Sequence, residues 1–185
     1  MSVESVDVGV RQNRQSGRSK PNPAWLAVPL VVFALISLDV GVIASRTKPV
    51  PYTPTFLPLK VGLATAALAL GCFQLLTAAR MYELLRFPPK GRLYHVVHRW
   101  SGRLAIALTL PVAYHCIFLL GFGTYDTRVY IHSLLGSAIY GAFVAKVLVV
   151  RSTRFPSWTI PIAGGILFAI LLGLWLTSAL WYFTT

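Results

Sequence analysis

The chain has 185 residues, 56% of them hydrophobic, with a mean hydropathy of +0.66. Apolar blocks as long as a bilayer is thick exclude an ordinary soluble domain. Seventeen Lys and Arg against five Asp and Glu give a net charge of +12. The basic residues gather at the ends of apolar blocks rather than in one patch, which excludes nucleic acid as the partner and points to membrane lipid.

Residues 1–22 are polar, carry Arg11, Arg14, Arg18 and Lys20, and run into Pro21-Asn22-Pro23. They predict a disordered basic cytoplasmic tail ahead of one domain over 23–185. A signal peptide is not expected, because the first apolar block is too long and no small-x-small cleavage site follows it. Five blocks come next, over 24–45, 57–79, 101–122, 129–150 and 158–183. About 20 apolar residues span a bilayer core, where backbone groups find no water, so each block is expected to be a helix. The expected fold is therefore an all-α integral membrane protein, a bundle of five transmembrane helices.

Basic residues are dense before the first block, over 80–103 and over 146–154. They are sparse elsewhere: Arg46 and Lys48 in one connection, Arg128 beside Asp126 in another. Positive residues stay inside, so the N-terminus is expected in the cytoplasm and the C-terminus outside a plasma membrane crossed five times. The two cysteines, Cys72 and Cys116, lie in apolar blocks without metal-ligand spacing and read as packing. No C-x-x-C-H attachment motif is present.

All four histidines fall between His95 and His132. An imidazole in hydrocarbon is costly unless something binds it. His115 and His132 sit on consecutive blocks and flank the short connection Leu120–Arg128, which predicts an antiparallel pair of neighbouring helices. Both then lie at similar depth near the outer face, a geometry that suits a haem iron held from two sides. Gly121, Gly123, Gly136 and Gly141 would let a flat macrocycle or a helix approach. Asp39, in the outer half of the first block, and Tyr114 and Gln74 are candidates to orient a ligating ring. Lys146 reads as a side chain reaching the cytoplasmic interface. His95 and His98 form a separate group at the cytoplasmic start of the third block. His98 is 17 residues, about 25 Å of helix, from His115, so one haem cannot use both.

The run His98-Arg99-Trp100-Ser101-Gly102-Arg103 resembles the HRW-x-GR opening of a core helix in ferric-reductase-like membrane domains. Ile131-His132-Ser133-Leu134-Leu135-Gly136 is similar to the LHSWLG segment of the cytochrome b561 family. The resemblance covers roughly residues 86–150. It implies a cytochrome-b-like core with two b-type haems, electron transfer across the membrane, and His98 and His132 as ligands of different haems. Here the first, second and fifth blocks carry no histidine. With His115 as the partner of His132, one haem b near the outer face is expected. A second site or a quinone contact is the role left for His98 and His95.

The expected function is electron transfer by a b-type haem membrane protein that exchanges electrons with a quinone or an extracytoplasmic redox protein. The competing reading is a haem-free accessory subunit of a larger membrane, or respiratory, complex. With no GxGxxG run in the chain, oxidation of a nicotinamide nucleotide would fall to another protein.

Overall fold

The structure, a computed structural model, describes residues 24–50, 56–85 and 91–184. The basic tail expected over 1–22 lies outside the described residues. Helix α1 runs over Ala24–Arg46, α2 over Leu57–Met81, α3 over Arg92–Tyr114, α4 over Thr127–Arg151 and α5 over Thr159–Trp175. Two helices continue through π turns: α3 through His115–Leu120, and α5 through Leu176–Leu180 into a last turn, Trp181–Thr184. All five are long and apolar enough to cross a membrane, and 23 residues of helix measure about 35 Å. Five such helices among the described residues are the pattern of a multi-pass membrane protein. Leu30, Leu35, Leu38, Leu76 and Leu110 lie on the exposed surface, where a bilayer accepts them as a soluble fold would not.

The third helix starts nine residues before the expected 101, at Arg92. Gly91 precedes it in extended backbone, and the polar turns Arg92–Trp100 are helical although they are too polar for hydrocarbon. Hydropathy marks where a helix enters lipid, whereas the backbone is free to wind earlier at the interface. His95 and His98 thus lie within the first two turns of α3.

The ends where α1, α3 and α5 begin form the proximal face of the bundle, and the ends where α2 and α4 begin form the distal face. Close packing joins α1 to α4, α2 to α3 and α4 to α5, with α2 also meeting α5. Gly141 sets the first of these contacts: a Cβ there would fall 2.6 Å from the Phe33 carbonyl oxygen. At Gly71 the side chains of Leu171 and Phe168 close in from α5. Ile139, Ala142 and Ile170 form the buried centre, with Phe33, Leu135 and Leu167 packed around it.

Helices α3 and α4 are neighbours, as expected from the short connection, and meet through the Thr109 and Tyr140 hydroxyls without close packing. The distal end of α3 is tied to α1 instead. Val50 N–H donates to the Leu119 carbonyl at 2.9 Å, and Phe122 N–H donates to the Ala44 carbonyl at 3.0 Å. Gly121 makes the turn at φ +72, with the Thr47 carbonyl oxygen only 3.0 Å from where a Cβ would be. Residues 121–126 can stretch about 20 Å, so a short connection does not force close packing.

Candidate functional site

Between α3 and α4 lies a cavity of about 80 Å³, well below the about 300–1,000 Å³ usual for small-molecule and cofactor sites, so a ligand of that size enters only if the two helices part. One wall is the α3 face Thr109, Val112, Ala113, Cys116 and Ile117. The facing wall is His132, Gly136, Ile139 and Tyr140 of α4, and Leu171, Leu174, Trp175 and Ser178 close the floor from the α5 side. Small residues make the space: Ala64, Ala113 and Gly136 leave room where larger side chains would meet. Tyr140 and Thr109 hydroxyls bridge the two walls at 3.1 Å, and Trp175 Nε1 donates to Thr65 Oγ1 at 3.0 Å.

His132 is the histidine on the cavity wall. Its Nδ1 lies 3.0 Å from Thr177 Oγ1. The Thr177 hydroxyl already donates to the Gly173 carbonyl at 2.7 Å, one turn back on its own helix. With that proton on the Gly173 carbonyl the oxygen accepts from the ring, an arrangement that suits a proton on Nδ1 and a lone pair on Nε2. That is the tautomer a metal ligand needs, with the second nitrogen held by a neighbour.

His115 takes a different place. It is buried, opens the π turn, and stacks on Phe56 with ring centroids 4.8 Å apart. Its neighbours Val112 and Cys116 line the cavity, while its own ring lies against Phe56. Its Nδ1 is buried and has no hydrogen-bond partner among the described residues, an arrangement that calls for an explanation in a folded protein. The π turn follows Pro111, whose ring removes an N–H from the ladder. Lys60, near the start of α2, is within electrostatic reach of both His115 and His132, so the two rings share the distal region of the bundle.

At the proximal end His98 Nδ1 lies 2.7 Å from Thr77 Oγ1. Thr77 also donates to its own helix, to the Phe73 and Gln74 carbonyls at 3.0 Å, which suits the same tautomer at His98 as at His132. Gln74 Nε2 donates to the His98 carbonyl and to Ser101 Oγ. His95 lies nearby in a smaller recess with Arg80, Met81, Gly91 and Tyr94.

Asp39 sits on the exposed face of α1, and the polar groups beside the rings are Thr77 and the Gln74 backbone at His98, and Thr177 and the Leu174 backbone at His132. Tyr114 is exposed and packs on Phe118. Lys146 points toward α5, its Nζ 3.9 Å from where a Cβ on Gly164 would stand. No group of three or more His, Cys, Asp or Glu gathers as a metal cluster among the described residues. Thr77 and Thr177 carry no sequence signal of their role, since a threonine near a helix end usually bonds its own backbone.

Over residues 23–185 the chain matches the model of a family of unknown function, DUF6529, and it belongs to that family. No curated protein and no solved structure matches it.

Proposed function

We propose that the chain is a b-type haem protein that carries electrons in the membrane, with one haem held between α3 and α4. The observation that carries this reading is His132. It stands on the wall of an apolar cavity of about 80 Å³ with Nδ1 3.0 Å from Thr177 Oγ1, so haem enters there only as α3 and α4 part. His115 is the second ligand in this reading. Its buried Nδ1 has no hydrogen-bond partner among the described residues, and its place beside Cys116 puts it one residue from the cavity wall. To reach the cavity its ring must leave Phe56. The small residues Ala64, Ala113 and Gly136 line the seam that would open to admit a flat macrocycle.

When bound there, haem supplies a one-electron ferric–ferrous couple. The chain's own residues hold the ligand rings, keep water out with Ile139, Leu171 and Leu174, and set the protonated edge of His132. In this reading the N-terminus is cytoplasmic, as the charge distribution implies, so the distal face is outside. Electrons then pass at that face, to or from a quinone headgroup or an extracytoplasmic redox protein. His98 lies about 25 Å along α3 from His115, which is why transfer across the whole bilayer is not part of the reading.

The test is a reduced-minus-oxidised spectrum of the purified full-length protein, with haem extracted as the pyridine complex and counted per chain. One low-spin b-type haem per chain supports the reading, and two would revive a haem at each end. A colourless protein expressed with ample haem would overturn it and leave the accessory-subunit reading.

A further inference from the structure

The ring of His132 is fixed by a side chain on another helix. Thr177 belongs to the π turn Leu176–Leu180, where wider spacing displaces carbonyls from the regular ladder. Its own carbonyl is taken by Arg128, whose Nη1 donates to Thr177 O at 2.7 Å. The Arg128 guanidinium lies 4.3 Å from the centre of the Trp181 ring, and its Nε is 3.6 Å from Asp126 Oδ2. Contacts thus run without a gap from the half-exposed ion pair Asp126–Arg128, through Thr177, to the cavity wall. Arg128 pins the turn from its backbone side while Thr177 Oγ1 meets the imidazole from the other.

From this geometry we infer that Thr177 and Arg128 are positioning residues that hold His132 as its Nδ1–H tautomer and present Nε2 to the cavity. The surface ion pair Asp126–Arg128 thereby governs the donor strength of a ring inside the bundle. A hydrogen bond accepted from Nδ1–H makes the opposite nitrogen more basic, so a looser Thr177 means a weaker ligand. The tautomer claim stands on the chain alone, whereas its effect on a bound group rests on the haem reading.

The experiment is nitrogen-15 NMR of histidine-labelled full-length protein in lipid nanodiscs, without haem, with the His132 signals assigned by their loss in His132→Asn. The wild type should show His132 as a single Nδ1–H tautomer. Thr177→Val keeps the shape and removes the acceptor, so both tautomers should appear, and Thr177→Ser should restore one. Thr77→Val should change His98 and leave His132 alone, which separates a local effect from misfolding. Arg128→Gln should give a mixture, and an unchanged tautomer in that variant would overturn the part assigned to Arg128. An unchanged His132 tautomer in Thr177→Val would overturn the whole inference. In haem-loaded protein, Thr177→Val should bind haem about 10- to 100-fold more weakly and raise its reduction potential, with Thr177→Ser near wild type. A wild type that binds no haem would end the haem reading and leave the tautomer result to decide the rest.

Discussion

At the proximal end Thr77 of α2 faces His98 of α3 at 2.7 Å, and at the distal end Thr177, just beyond α5, faces His132 of α4 at 3.0 Å. In both, the threonine hydroxyl also reaches a carbonyl of its own helix, which suits a ring protonated at Nδ1. What surrounds the two rings differs. Helix α3 is packed directly on α2, and Gln74 crosses to the His98 carbonyl and to Ser101. A Cβ on Gly102 would lie 3.1 Å from Gln74 Oε1, so that seam is filled. Around His132 the neighbouring α3 stands away from α4, and small residues line the interval. The hydrogen bond prepares an imidazole at either end. Among the described residues it adjoins an apolar cavity between helices at His132, and the proposed function rests on that difference.

The largest effect should come from removing one ring at a time. His132→Ala should abolish low-spin haem binding, and His98→Ala should keep one haem per chain, read from the pyridine complex. The reverse pattern would move the site to the proximal end and break the comparison outright.

A second variant tests the space rather than the ligand. The Cβ position of Gly136 is open, its nearest neighbour being Leu174 Cδ2 at 3.9 Å. Gly136→Leu should therefore fold, with unchanged helical circular dichroism, while its side chain fills the cavity. Haem content should fall to a small fraction of wild type although both histidines remain. Full occupancy in this variant would show that the cavity is not the haem site.

Gln74→Leu acts on the other end. It takes the donor from the His98 carbonyl and from Ser101, and a side-chain hydrogen bond between membrane helices is worth about 1 kcal/mol. Unfolding in mixed micelles should show a loss of that size, with haem content unchanged. A loss of haem would mean that the two ends are coupled through α3.

The five spans could be read from the sequence because hydrocarbon imposes one requirement on every residue of a span, and runs of Leu, Val, Ala and Ile report it directly. The start of α3 could not, since Arg92, His95 and His98 wind as helix at the interface where hydropathy is silent. His132 could be singled out from an imidazole in an apolar block, and the structure places it on the cavity wall. Its partner could not, because Thr177 is 45 residues away and looks like any threonine bonding its own helix. The loose packing of α3 against α4 was hidden for a similar reason. Residues 121–126 fix how far two helix ends can part, whereas Gly141 and Gly41 decide which helix α4 meets, and that helix is α1.

The smallest effect should appear where the two rings of the proposed pair differ. His132 is held through its nitrogen, and His115 through its face, on Phe56 at 4.8 Å and 14° from parallel. An aromatic pair of this kind contributes about 0.5–1.5 kcal/mol beyond its buried area. Phe56→Leu should thus lower stability by about 1 kcal/mol and do nothing to the Thr177–His132 bond. Under the haem reading, His115 must give up this stack to reach the cavity. The variant should then bind haem at least as tightly as wild type, because a competing contact is gone. Titration of the haem-free protein with haem, followed at the Soret band, measures this. Weaker binding in Phe56→Leu would mean that the stacked position of His115 is the one that supports the site. His115 would then be a packing residue, and His132 would be left as the sole histidine ligand.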